Sequence, residues 1–250
     1  MITNEPNKPF TYTDDATGLF ITINPATTVN PIYKMGQTAG VCWGADGEEP
    51  YEKTYKRGVE CVMSGHGRVL ECVDVEIVIG NMSARAMREL YTHIAGGPTR
   101  LQESTRYVKY DKPSYFVPEC FKDYKPYHNY MKQAFDNYVQ LIGKGFPKED
   151  AANILPLGMM SKMYLKTNLR MLENLMNQRL CSRAYKEMRT FAYSLKDALV
   201  AYGDAFTSHN EWKEIADNIF VPKCVKLLYC PESKCCGRAA PYNREWKKNI

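Results

Sequence analysis

From Val69 to Ile79 apolar side chains fall on every second residue. Val69, Val73, Val75, Ile77 and Ile79 share one side, with Glu71 the single polar exception. A period of two places such residues on one face of a β-strand. The chain must therefore build a sheet and cover one side of it. Gly80-Asn81 is expected to end this strand. Shorter apolar runs, Phe20 to Ile23 and Met159 to Thr167, read as further strands.

The remaining periodic segments are helical. Asn30-Pro31 is a helix start, with a cap residue before proline at the first helical position. That helix should run to about Cys42, and a loop follows from Trp43 to Pro50. A second helix from Tyr51 to Met63 stops at Ser64-Gly65-His66-Gly67. Ser83 can cap a helix carrying Met87, Leu90, Tyr91 and Ile94, broken by Gly96-Gly97-Pro98. Tyr107 to Lys125 reads as loop. Pro126 to Ile142 is amphipathic, through Tyr130, Met131, Phe135, Tyr138 and Ile142. Pro147 opens a short helix ending near Leu155-Pro156. Helices are expected from Asn168 to Leu180 and from Ser182 to about Tyr202, with an irregular tail after Asn218.

The chain has 250 residues, enough for a substantial core. No repeat or long flexible linker interrupts it, so residues 1–220 read as one domain and residues 221–250 as a Cys-rich basic tail. No run approaches the roughly 20 apolar residues of a membrane span. Met1 to Phe10 is polar and lacks the apolar core of a signal peptide, so a cytoplasmic protein without membrane attachment is expected. Cys42, Cys61, Cys72, Cys120 and Cys181 then read as reduced, partly buried thiols. The net charge of +5 suits anionic small ligands and is too small to argue for nucleic acid. The tail carries Lys223, Lys226, Lys234, Arg238, Arg244, Lys247 and Lys248, and such runs are mostly solvated.

Two stretches carry chemistry. Arg88 to Tyr107 places Arg88, His93, Arg100, Gln102, Ser104, Thr105 and Arg106 around a glycine turn. Arginine forks, hydroxyls and approachable backbone suit a phosphate ester, although a polar loop with surface arginines would look the same. No phosphate-loop or GxGxxG pattern occurs. In Asn168 to Arg179, a helix aligns Arg170, Asn174 and Asn177 on a polar side. Arg179 instead continues the apolar stripe of Leu172 and Met176. A charge there must pair, snorkel or meet a ligand.

The two stretches, in this order and separation, resemble the flavin-dependent thymidylate synthase family. The family signature is Arg-His-Arg, seven residues, Ser, then shortly Arg-Tyr. Here Thr92-His93-Ile94 is followed by nine residues and Ser104-Thr105-Arg106-Tyr107. A second match runs without gaps from Pro147 through Leu155-Pro156-Leu157 and Asn168-Leu169-Arg170 to Asn174 and Arg179. The resemblance spans about Phe20 to Tyr202. It implies an α+β fold, with a central, mostly antiparallel sheet flanked by helices, in a homotetramer whose active sites combine subunits.

By the same resemblance, Ser104, Thr105 and Arg106 hold a dUMP-like nucleotide, with Arg88, Arg100 and Gln102 beside it. Arg179 is the catalytic residue at the pyrimidine carbonyl edge. His66, His93, Asn168, Arg170 and Asn174 contact FAD, and NADPH and methylenetetrahydrofolate are co-substrates. Thr92 and Ile94 stand in place of both signature arginines, Gln102 in place of an acid, and Ala152-Asn153 in place of an arginine. Arg88 or Arg100 is then the candidate replacement for the lost charge.

The expected activity is reductive methylation of dUMP to dTMP. Hydroxymethylation, or action on a cytosine nucleotide, is the near alternative. A non-catalytic nucleotide- or nucleic-acid-binding protein is the alternative of another class. Cys224, Cys230, Cys235 and Cys236 could hold zinc, although close CxxC pairs are absent. Locally packed thiols are the plainer reading.

Overall fold

The computed structural model describes residues 8–45, 49–94 and 96–241. Met1–Asn7 and the tail's Arg244, Lys247 and Lys248 lie outside them. Strands β1 (Phe10–Thr13), β2 (Phe20–Ile23), β3 (Asp74–Ser83), β4 (Thr99–Gln102) and β5 (Met160–Asn168) form one sheet in the order β1-β2-β3-β5-β4. Every neighbouring pair is antiparallel. The helices are α1 (Pro31–Gly40), α2 (Tyr51–Met63), α3 (Ala84–Leu90), α4 (Lys125–Gly143), α5 (Lys148–Ala151), α6 (Leu169–Arg179), α7 (Lys186–Phe206), α8 (Glu211–Asn218) and α9 (Lys223–Leu227). The class is α+β.

Alternation drives the core. Val75, Ile77 and Ile79 of β3 face the same way as Ile21, Ile23, Met163 and Leu165, and all are fully buried. Met87 and Leu90 of α3, Leu172, Leu175 and Met176 of α6, and Phe191, Leu195 and Leu199 of α7 pack onto them. Along this face toward the edge strand, Arg100 is registered with Leu165 and Gln102 with Met163. The sheet's apolar face thus ends in two polar side chains. A smaller cluster of Tyr110, Phe135, Tyr138, Ala151 and Met159 lies beneath α4.

The long strand is displaced from the sequence expectation. Val69–Cys72 is a 3₁₀ turn, closed by Glu71 N–H to Arg68 O at 3.1 Å. Glu71, the exception to the alternation, belongs to that turn. At the other end Asn81 takes a left-handed φ of 60° and absorbs a bulge, so pairing continues to Ser83. Of the helix expected from Ser83 onward, only α3 forms. Tyr91 and Ile94, assigned to its apolar stripe, lie beyond its end and are exposed. Tyr130 of α4 is also exposed.

Helices α1 and α2 cross with their backbones touching. A Cβ at Gly36 would lie 1.8 Å from Thr54 O, and one at Gly58 would lie 2.1 Å from Ile32 O. Only glycine allows this separation. The N-terminus of α1 is held by Glu211 of α8, which is fully buried. Its carboxylate accepts from Ile32 N at 2.5 Å, Tyr33 N at 2.9 Å and the Tyr51 hydroxyl at 2.6 Å.

All nine cysteines are free thiols. Cys61 is buried as expected, whereas Cys42 and Cys120 are exposed, because one follows the end of α1 and the other lies in the 3₁₀ turn before α4. Among the described residues no helix is long and apolar enough to cross a membrane.

Candidate active site

The connection from α3 to β4 is positioned from both ends. Ser83 Oγ accepts from Ala86 N at 3.1 Å and caps α3. The serine's own N and Oγ each donate to the buried Glu187 of α7 at 2.6 Å. Beyond α3 the chain turns at Gly96, whose φ is +75°. A Cβ there would meet the Asn168 side chain at 2.5 Å. Asn168 Nδ2 donates to Gly96 O at 3.4 Å, and its Oδ1 accepts from Met171 N at 3.1 Å, capping α6. One residue, expected at a flavin, thus ties the signature turn to the start of the second motif.

At the far end of α6, Arg179 meets the same segment. Its Nε donates to His93 Nε2 at 3.2 Å, and Nη1 pairs with Glu89 at 3.0 Å. The charge that broke the apolar stripe is therefore paired. From the edge strand, Arg100 donates to the His93 carbonyl and lies over the Tyr91 ring, 5.4 Å from its centre. Burial first, then the Arg179 and Arg100 charges, push His93 down to about 4. The imidazole is neutral at pH 7, and since arginine only donates, its proton sits on Nδ1. Two guanidinium groups and one carboxylate around a neutral ring leave this corner net positive. Arg100 Nε is buried without a hydrogen-bond partner.

The other expected residues lie elsewhere on the chain. Ser104, Thr105 and Arg106 follow β4. There Ser104 Oγ accepts from Arg106 N at 3.2 Å, while Arg106 faces Glu149 at 3.8 Å and the Tyr107 ring. Three residues separate Arg100 from Ser104, a span of roughly 13 Å when extended. No hydrogen bond or ion pair joins this group to Arg179 among the described residues; of the first stretch, it is His93 and Glu89 that Arg179 meets. Gln102 Nε2 lies 3.4 Å from Ser161 Oγ. Arg88 is exposed on α3 and forms no ion pair among the described residues, so it does not supply charge beside His93. Arg100 does.

A third group lies at the start of α6. Arg170 pairs with Glu71, which also takes Arg68 at 3.1 Å. Both arginines hold Glu71 below the usual carboxylate range. Gly67 faces the Arg170 guanidinium, since a Cβ there would lie 3.7 Å away. His66 and Asn174 are exposed nearby along the chain and on the helix. Asn177 Oδ1 is buried without a partner.

Two cavities flank α6. One of about 410 Å³ lies at its C-terminal end, between Asn177, Arg179 and Arg183 on one side and the tail on the other. The second, about 380 Å³, is lined by Gly65, His66, Gly67, Glu173 and Lys226. Cys224, Cys230, Cys235 and Cys236 do not form one ligand set. Cys235 Sγ accepts from Gly237 N and lies 3.1 Å from Ala239 O, while Cys236 is exposed. No group of three or more His, Cys, Asp or Glu among the described residues is placed to hold a metal ion.

Sequence reasoning missed Glu89, Tyr91 and Glu71. Only tertiary structure links Glu71 to Arg170 across 99 positions. Glu89 carried a weak signal, as an acid on the signature helix itself.

The sequence model of the family described as "Thymidylate synthase complementing protein" matches residues 26–201. The flavin-dependent thymidylate synthase of Pyrococcus furiosus is 27% identical, over 82% of this chain and 87% of its own length. That of Saccharolobus solfataricus is 33% identical, over 54% of this chain and 53% of its own. Among solved structures, a UMP/dUMP methylase from Streptomyces cacaoi, crystallised with 5-Br dUMP, superposes with a TM-score of 0.62. It covers 80% of this chain and 97% of its own at 17% identity, so it supports the fold alone. A match over residues 26–201, most of the chain and inclusive of the stretches that build the Arg179 corner, places this protein in the thymidylate synthase complementing protein family.

Proposed function

We infer that the protein is a flavin-dependent thymidylate synthase that methylates dUMP to dTMP, with methylenetetrahydrofolate as carbon donor and NADPH as reductant. The observation that carries the reading is the convergence of Arg179, His93 and Arg100 on one positive corner, built from both family motifs.

Arg179 engages Nε and Nη1 within the chain, and Nη2 has no hydrogen-bond partner among the described residues. A guanidinium fixed on two sides is oriented before any ligand arrives. It can stabilise negative charge developing on a pyrimidine carbonyl edge with little reorganisation. His93, kept neutral, orients the guanidinium without adding repulsive charge. Arg100 holds the His93 carbonyl and supplies the cation that Thr92 and Ile94 lack. Ser104, Thr105 and Arg106 offer hydroxyl, backbone and guanidinium donors to a phosphate.

The donor set on α6 and the His66 loop fits FAD. Arg170, Asn174 and Asn177 line one helix side, with the Asn177 Oδ1 unsatisfied, and Gly67 lies against the Arg170 guanidinium. These residues, with His66, would hold the group, and His93 and Asn168 would position the turn beside it. Bound there, the flavin supplies reducing equivalents for conversion of the transferred carbon to a methyl group. The chain's part is to position reactants and stabilise charge.

The separation of Ser104 from Arg179 in one chain favours a shared site in a homotetramer. Ile94, Leu101 and Tyr107 are at least 65% exposed and flank both groups. Such large apolar side chains beside a site suit a subunit contact. The deciding experiment incubates purified protein with dUMP, methylenetetrahydrofolate, NADPH and FAD and identifies the product by mass. dTMP supports the reading. A hydroxymethyl product, or turnover of dCMP alone, replaces it with the corresponding alternative, and absence of flavin binding and turnover rejects it.

A further inference from the structure

Residues 202–241 lie beyond the family match, yet part of this segment is fastened against the helix that carries Arg179. Lys226 pairs with Glu173, Glu232 pairs with Arg183 at 2.9 Å, and Arg238 donates to Leu180 O at 3.2 Å. Cys230 N donates to Ala240 O at 2.7 Å and folds the tail back on itself. Between tail and helix lies the cavity of about 410 Å³, within the range of small-molecule sites.

Its charge is one-sided. Arg179, Arg183, Lys223 and Lys234 line it against a single carboxylate, Glu232. Arg179 is offset by Glu89 and Arg183 by Glu232. Lys223 and Lys234 have no ion pair among the described residues. Asn177, on the opposite wall, has a buried Oδ1 without a hydrogen-bond partner. Uncompensated cations around one hollow are the complement of an oxyanion-bearing ligand, and the Asn177 oxygen, an acceptor, would take an N–H or O–H of the same ligand.

We propose that the tail forms the second wall of an oxyanion subsite, in which Lys223 and Lys234 receive phosphate or carboxylate groups of a ligand lying against Arg179. The proposal deepens the reading above, because Arg179 belongs to both. Ammonium groups on flexible stems act as point charges here, so the subsite sets affinity and leaves orientation to Arg179. Phosphates of dUMP or NADPH and glutamate carboxylates of the folate share this chemistry.

The test uses the full chain with Lys223→Gln, Lys234→Gln and the double substitution. Lys132→Gln on α4 matches the charge change at a distance. Calorimetry reads affinities for inorganic phosphate, dUMP, NADPH, and methylenetetrahydrofolate with one or several glutamates. Loss of two charge-assisted contacts should weaken the cognate ligand about tenfold or more in the double variant. Its salt dependence should shrink, while the unfolding midpoint stays at the wild-type value. Loss confined to dUMP or NADPH identifies phosphate, and loss growing with glutamate number identifies carboxylate. Affinities within about twofold of wild type for every ligand overturn the subsite, as does an equal loss in Lys132→Gln. If the wild-type protein forms no dTMP, the thymidylate reading fails, and the phosphate and nucleotide affinities still decide the subsite.

Discussion

Arg179 donates its Nε–H to Nε2 of His93 across 3.2 Å, joining the end of α6 to the segment after α3. The imidazole must stay neutral for this bond to exist. Burial, Arg179 and Arg100 lower its value from 6.5 to about 4, so the folded protein binds the proton more weakly than the unfolded chain. The contribution is therefore complete above pH 6.5 and is lost as pH falls toward 4, by about 3 kcal/mol. Denaturant titrations between pH 4 and 7 should show a steeper fall for wild type than for His93→Gln. Parallel curves would mean that the fold leaves the proton affinity of His93 at its unfolded value.

Arg179→Ala should reduce the rate of dTMP formation at saturating substrate by about 100-fold or more, the usual cost of losing an oriented charge-stabilising donor. Flavin absorbance should persist, since Asn174 and Arg170 lie about one and a half and two and a half turns away on the same helix. Arg179→Lys keeps the charge but not the fork and should recover little. Product chromatography reads both variants, and near-normal turnover by either removes Arg179 from the chemistry.

Glu211 serves three donors from a fully buried position. Glu211→Gln exchanges an acceptor-only carboxylate for an amide that turns N–H groups toward other donors. A loss of about 2 kcal/mol is expected. It should appear as a lower urea midpoint at pH 7 with an unchanged slope. Tyr51→Phe, which removes only the hydroxyl, should cost less.

Gly36→Ala brings a methyl carbon within 1.8 Å of the Thr54 carbonyl, where backbone and not a movable side chain blocks it. Destabilisation of about 3 kcal/mol or more is expected, at the upper end for overpacking. Thermal unfolding is the measurement. A melting temperature within a degree of wild type would show that the helices separate freely.

Where local rules act alone, the sequence was legible. α2 was bounded by its Gly-rich stop at Met63, and β5 and α6 fell within a residue of expectation. Ser83 and Asn168 acted as caps. Strands β1 and β4 escaped notice because neither buries a residue fully, unlike the equally short β2, and β4 exposes Thr99 and Leu101. The 3₁₀ turn at Val69–Cys72 imitated a strand because Val69 stands in phase with the alternation that begins at Val73, although Glu71 breaks it. At the site, the anomaly of Arg179 on an apolar stripe was readable as a need for a partner. The partner's identity was not, because His93 lies 86 positions away. Arg100 was one of two candidates for replacement charge, and only strand register separated it from Arg88.

The glycine crossing of α1 on α2 has a mechanical consequence. Two backbones in contact can neither roll nor slide past each other without collision, so the His66 loop at the end of α2 is anchored to the body of the protein. Another border consists of a four-residue edge strand, β4, held by β5 alone. Any adjustment of the molecule to an incoming ligand must therefore be lopsided, with an unyielding bed on the His66 side and a compliant rim at β4.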